Sequence, residues 1–234
     1  MNRREFLCLS GISLIFSMNI LAEETNEKKE LNEDKKETPK EIYLTIDDGP
    51  GKYMGEILET LGENKATFFI VGDQCGDEQK LSLLEKAVKS GHILGNHSFH
   101  HPSFPSISLE RGKSEIKKTD DIIEGVYKKA EVERKIKLFR FPGGATKNSI
   151  IPYLNELGYK PIKVWSQEDD WNIDTEDWRY GKGRGAESIM STCRQTKDKD
   201  VVLVHDMPNG LPFTAHTIIP YFVKSKDYKL ILPS

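Results

Sequence analysis

The stretch TIDDGP, at positions 45–50, sets Asp47 and Asp48 side by side at the end of an apolar run. Within a strand, adjacent side chains point to opposite faces, and neighbouring like charges repel. At a strand end that geometry relaxes. Both carboxylates can then turn toward one site, one as a ligand and one as a base. Partners occur further along the chain. His97, His100 and His101 fall together in NHSFHHP, in a chain with only 6 histidines. His97 and His101 are four apart, which puts them on one side of a helical turn. Two imidazoles and one carboxylate make a three-ligand set for a divalent cation, with a fourth position open to water. Imidazole nitrogen and carboxylate oxygen suit zinc, and cobalt or nickel less selectively. The competing reading is a polar surface loop with clustered histidines.

Such groups can meet only if several elements end at one place. The hydrophobic pattern predicts strands at 42–46, 66–72, 92–96, 137–141, 161–165, 201–205 and 228–232. Between them it predicts helices at 54–65, 80–91, 108–134, 149–158, 186–196 and 215–225, the third with Ser108 as N-cap. Several strands are continuously apolar, as strands covered on both faces must be. The class is α/β, with about seven mostly parallel strands; periodicity leaves open whether the sheet is open or closed into a barrel. Right-handed crossovers bring strand C-termini to one edge. TIDDGP, GNHSFHHP, RFPGG and VLVHDMP all lie at such ends.

The chain has 234 residues, 37% hydrophobic and 30% charged, with a formal net charge of -3. That suffices for one sizeable core and gives no basic footprint for nucleic acid. Residues 1–22 carry Arg3 and Arg4 before an apolar segment, and read as an export signal, with RREFL resembling the twin-arginine type. The apolar part is short for a bilayer span, so no transmembrane segment is expected in the mature chain, with an uncleaved membrane anchor as the alternative. Residues 23–41 are almost free of apolar side chains and read as a flexible linker, with the folded domain at 42–234. Beyond the signal only Cys75 and Cys193 remain, as a disulfide or as two separate thiols.

Five stretches, in this order, resemble the motifs of the NodB-homology polysaccharide deacetylases, carbohydrate esterase family 4. They are TIDDGP (45–50), HSFHH (97–101), RFPGG (140–144), DTEDW (174–178) and LVH (203–205). The resemblance implies an irregular (β/α) barrel and metal-assisted removal of acetyl groups from a glycan. It assigns Asp48, His97 and His101 to the metal, most readily Zn2+, with Co2+ or Ni2+ as alternatives. It assigns Asp47 as general base, Arg140 as the cation that orients it, and His205 as general acid with Asp174 as its partner. The backbone N–H of Gly143 would stabilise the oxyanion, and Trp178 and Leu203 would enclose the acetyl methyl. Relatives often carry Tyr at the Gly143 position, so that wall is missing here or comes from elsewhere. The fourth motif has a rival in Asp170–Trp171, against Asp177–Trp178.

The expected substrate is an N-acetylated glycan, peptidoglycan or a chitin-like oligomer. An O-acetyl ester of xylan or an exopolysaccharide is the alternative within the same chemistry. A non-catalytic glycan-binding relative would need neither a base nor an acid, so Asp47, Arg140, Asp174 and His205 argue against it. A metallopeptidase lacks its signature, since no HExxH occurs.

Overall fold

The computed structural model describes residues 38–160, 171–207, 210 and 212–233. The expected signal, the expected linker up to residue 37 and the strand expected at 161–165 lie outside these residues; the linker does not run to 41, because Lys40 and Glu41 already pair with Tyr228 and Lys229 in the sheet. The elements run β1 (Lys40–Gly49), α1 (Met54–Leu61), β2 (Thr67–Ile70), α2 (Glu78–Lys89), β3 (Ile93–Asn96), α3 (Leu109–Ala130), α4 (Ile151–Glu156), β4 (Ile173–Asp174), α5 (Ala186–Arg194), β5 (Val201–His205), α6 (Ile219–Lys224) and β6 (Tyr228–Leu230). The strand order is β3-β2-β1-β5-β4, with β6 also paired to β1. Each of these ladders is parallel. The expected α/β class with a mostly parallel sheet is the one observed.

β1 is the central strand, and its alternation decides what faces where. Ile42, Leu44 and Ile46 share one face and are buried in the main core with Ile57, Leu61, Val88, Ile189 and Phe222 from the helices. Thr45 and Asp47 share the other face and are buried as well. A polar pair on the inner face of a central strand needs partners. β5 runs alongside in a register that sets Asp47 opposite His205.

One strand expectation needs correction, and one strand is unexpected. The segment at 137–141 forms no ladder; it makes a single parallel bridge, Asn96 to Phe139. Asn96 accepts from the Arg140 amide and donates its own to Leu138. β3 ends there because the chain turns away to carry the histidines, so nothing further is left to pair. The second difference is β4, which is short and lies in a polar stretch without an apolar run. It exists because Ile173 and Asp174 pair with Val202 and Leu203 of β5. The 137–141 segment is held instead by a second core of Phe104, Phe139, Phe141, Ile116 and Ile150, its phenylalanines meeting edge to face with centroids 4.9–5.6 Å apart. Phe139 and Phe141 thereby bind the flanks of the residue between them, Arg140, whose side chain leaves on the opposite face. Cys75 and Cys193 are both buried and unpaired, so the disulfide alternative does not hold. Burial pushes both thiols up to about 12. Among the described residues, no helix is long and apolar enough to cross a membrane.

Asp206, just past β5, ties the end of that strand to the loop that follows β1. Its amide donates to the Asp47 carbonyl at 2.8 Å. Its carboxylate accepts from Gly51 N at 2.8 Å and Tyr53 N at 3.2 Å. A Cβ on Gly51 would lie 2.0 Å from the Asp206 carbonyl oxygen, which is backbone and cannot rotate away. Gly51→Ala is therefore expected to destabilise the protein by about 1–3 kcal/mol, the usual cost of overpacking. Urea denaturation measures this, and an unchanged midpoint would refute the clamp.

Candidate active site

The two adjacent carboxylates reach one site by different routes. Asp47 keeps strand geometry, and its Oδ1 accepts from Arg140 Nη1 at 2.8 Å. The same Nη1 donates to Thr45 Oγ1 at 2.9 Å, so one guanidinium spans the two polar residues of the inner face. Arg140 lies over the Phe69 ring at 4.3 Å and over the Trp171 ring at 5.5 Å. Both partners of the Asp47–Arg140 pair are buried. Asp48 instead adopts a left-handed backbone, φ 68°. Aspartate tolerates that region better than most residues. The twist swings its carboxylate back toward the same side as Asp47.

There it meets the histidines. Asp48 Oδ1 is 3.6 Å from His97 Nε2 and 3.2 Å from His101 Nε2. One ligand atom from each of Asp48, His97 and His101 falls within 4.8 Å of the others. His97 Nδ1–H donates to the Arg140 carbonyl at 2.9 Å, because a carbonyl can only accept. That leaves the Nε2 lone pair aimed at the cluster. Burial pushes the His97 imidazole down in pKa and outweighs the pull of Asp47 and Asp48, which keeps the ring neutral. Asp48 Oδ1 is buried with no hydrogen-bond donor among the described residues. A buried, unsatisfied carboxylate oxygen beside two imidazole nitrogens fits a divalent cation, and the donor set suits zinc, cobalt or nickel alike. His100, between the two, turns its ring outward to Glu115 and is absent from the cluster.

The acid side of the site differs from expectation. His205 does not pair with Asp174. Its Nδ1 lies 2.7 Å from Asp177 Oδ1, and its backbone N–H donates to Asp177 Oδ2 at 2.9 Å. Thr214 also donates to Asp177, while the Thr175 hydroxyl gives its one proton to the Leu203 carbonyl at 2.8 Å. The reason is register. Asp174 pairs with Leu203, so it stops short of His205 along the sheet. Its carboxylate accepts from the Glu176 amide at 2.8 Å and caps the turn. Glu176 is left-handed, φ 49°, and this reverses the chain so that Asp177 comes back to His205. Burial disfavours charge on His205, but the Asp177 hydrogen bond and the charges of Asp177, Asp47 and Asp48 win, raising it to about 9. Burial also opposes the Asp177 carboxylate, and His205 and Thr214 hold it below its ordinary range.

A cavity of about 360 Å³ collects these groups. Asp47, Asp48, His97, His101 and His205 line it, with Gly143, Leu203, Trp178 and Asp174. The cavity brings together every residue expected at the site except Arg140, which stands behind Asp47. Gly143 is left-handed, φ 58°, with open space where a side chain would be. Trp178 is 45% exposed at the rim. Trp171 also lines the cavity, beside Gly144, where a Cβ would come within 2.8 Å of the indole. Both candidate tryptophans thus reach the site, but only Asp177–Trp178 supplies the carboxylate on His205; Asp170 lies outside the described residues. Trp171 was legible only as the rival motif.

A family model described as Polysaccharide deacetylase matches residues 34–162, more than half of the chain. A Bacillus cereus peptidoglycan-N-acetylglucosamine deacetylase is 30% identical over 202 residues, covering 82% of this chain and 86% of that protein. A second B. cereus protein of the same name is 35% identical over 182 residues, or 72% of this chain, and the chain spans 60% of its length. Among solved structures, a family 4 carbohydrate esterase from Streptomyces lividans, in complex with acetate, matches with a TM-score of 0.66 at 25% identity. That match covers 83% of this chain and 93% of the esterase. The fold shared with it is the irregular (β/α) barrel of mostly parallel strands.

The His205–Asp177 pair has a sign that can be checked. Because the folded-state pKa is raised, the pair's stabilisation is complete below about pH 6.5 and is lost as pH rises through about 9. NMR titration of the metal-free protein is expected to place the His205 imidazole near 9 in the wild type. In Asp177→Asn it should fall below its ordinary value, since burial then acts with less opposition. A titration unmoved by D177N would refute the pairing.

Proposed function

Because the chain belongs to the polysaccharide deacetylase family, we propose that it is a metal-dependent hydrolase removing acetyl groups from N-acetylated amino sugars of peptidoglycan or a chitin-like oligomer. One observation carries this reading. A carboxylate fixed by Arg140 and an imidazolium fixed by Asp177 flank a single three-ligand cluster in one cavity. Binding a glycan would require neither.

Asp48, His97 and His101 would hold the cation. When bound, it would polarise the acetyl carbonyl and acidify the attacking water. Asp47 accepts the proton of that water, and Arg140 keeps its oxygen aimed as the base. Water oxygen bonds to the acetyl carbon, and the N–H of Gly143 donates to the oxyanion that forms. His205 gives its proton to the sugar nitrogen as the carbon–nitrogen bond breaks, releasing acetate and a free amine. An amide nitrogen leaves only when protonated, so an acid that stays charged at neutral pH suits this step; Asp177 makes His205 such an acid. Leu203 and Trp178 enclose the methyl group. Asp174 has no role in proton transfer here, and Asp177 takes the place expected of it.

The names of the B. cereus relatives support an N-acetylglucosamine substrate. The basic and apolar leader at 1–22 supports export, and the polar stretch that precedes β1 would let the domain work at the cell envelope.

Acetate release tests the proposal on peptidoglycan, chitooligosaccharides and acetylated xylan, using chelator-stripped and zinc-reloaded protein. The stripped protein should be inactive and zinc should restore it. Asp47→Asn should lower kcat by about 10²–10⁴-fold, the usual worth of a general base. Undiminished turnover by D47N would sink the mechanism. Turnover of xylan alone would move the substrate to an O-acetyl ester, and an inactive wild type would leave only binding.

A further inference from the structure

We infer that Glu115 and His100 form a latch that sets the metal affinity of the cluster from the second turn of α3. The inference rests on the reading of Asp48, His97 and His101 as cation ligands. The two histidines end a short loop with two left-handed residues that are not glycine, Ser98 at φ 68° and His101 at φ 56°. Such a backbone persists only where its surroundings over-determine it. Here they do. Four successive N–H groups are each taken by a side-chain oxygen. Ser98 N donates to Asn96 Oδ1 at 2.9 Å, and His101 N donates to Ser98 Oγ at 3.1 Å. Phe99 N and His100 N both donate to Glu115 Oε2, at 3.1 and 2.7 Å.

Asn96 and Ser98 belong to the loop's own stretch of chain. Glu115 alone comes from a distant element, and it alone is a carboxylate. Its second oxygen, Oε1, meets the His100 ring at Nδ1, 2.8 Å away. One buried carboxylate therefore holds the backbone of two loop residues and the side chain of one. Arg111 Nε approaches the same oxygen at 3.7 Å from the outer side. On the other flank, Gly72 N and Asp73 N donate to the Ser98 and Phe99 carbonyls at 3.0 and 2.9 Å. The loop is thus gripped from both sides.

This explains the third histidine. His100 ligates nothing, yet it fastens the tip of the loop to the Glu115 carboxylate of α3, while Asn96 Nδ2 ties the start of the loop to the Ile116 carbonyl at 2.9 Å and Lys118 lies over the Phe99 ring at 5.1 Å. The two ligands do not depend on the latch equally. His97 is fixed independently, by β3 and by the Arg140 carbonyl. His101 follows the left-handed turn, so release of the latch lets its Nε2 drift from Asp48. A metal site tolerates only a few tenths of an ångström in ligand position. Glu115 and His100 are therefore positioning residues, acting through His101.

Zinc affinity of the full chain, by competition with a chromophoric chelator, tests this for Glu115→Gln, Glu115→Ala and His100→Ala. Cobalt-substituted protein gives a second readout, the visible absorption bands that report ligand geometry. Lys117→Ala, on the exposed face of α3, serves as control. H100A and E115A are expected to bind zinc about 10–100-fold more weakly, the scale of losses when groups supporting a ligand are removed. E115Q should fall between them and the wild type, with altered cobalt bands and a metal-free melting point close to the wild type. Should E115A not fold, H100A and E115Q decide the matter. Folded H100A and E115Q with affinities within about twofold of the wild type would overturn the latch and leave the ligand assignment intact. A wild type that binds no zinc would overturn the ligand assignment and the latch together.

Discussion

Two carboxylates end one strand, and everything around them serves to make that tolerable. Asp47 stays in the ladder, faces inward with Thr45 and is matched by Arg140. Asp48 is left-handed within a bulge of β1, before Gly49 pairs again with Ile70, at a cost of about 1–2 kcal/mol for a residue with a Cβ. Asp177 adds a third negative charge, answered by His205. Two cations are thus matched to three anions. The residual negative charge sits at Asp48, facing two imidazole nitrogens in a partly desolvated cavity. A bound cation inverts the local electrostatics of such a place and removes the imbalance.

The framework around this charge arrangement is rigid where it must be. Arg140 is buried, which is costly for an arginine unless it is paired and well bonded. Its flanks are locked by Phe139 and Phe141 in an edge-to-face aromatic cluster, and its face is covered by Phe69 and Trp171. The same residue also gives its carbonyl to His97, so the base and one imidazole are oriented by a single position in the chain. Coupling of that kind predicts that effects of changes at Arg140 and at its partners will not add.

Much of this could be read from residue order. Apolar runs between helical stretches made the class and nearly all the elements legible, because period-2 and period-3.6 patterns reflect burial directly. The ends of those runs exposed Asp47, Asp48, His97, His101, Arg140 and His205 as one set. The misreadings share a cause. Asp174 is the partner that the resemblance assigns to His205, whereas the pairing depends on how far β4 runs along β5 and where the chain reverses at Glu176. The strand expected at 137–141 shrank to one bridge because its neighbour ends at Asn96. Register and termination are set by neighbours distant in sequence, and no local pattern encodes them.

The order of residues by itself determined which chemical groups lie at strand ends and that those ends share an edge, since crossover handedness and alternation are local rules applied repeatedly. Only the tertiary structure decided which carboxylate serves which cation. It also decided that the middle histidine turns away to Glu115, and that a tryptophan from a neighbouring stretch fills the space beside Gly144. Hydrogen bonds and charge pairs act over about 3 Å, so their partners are chosen by the folded positions of side chains tens of residues apart, which the chain discloses only once it has packed.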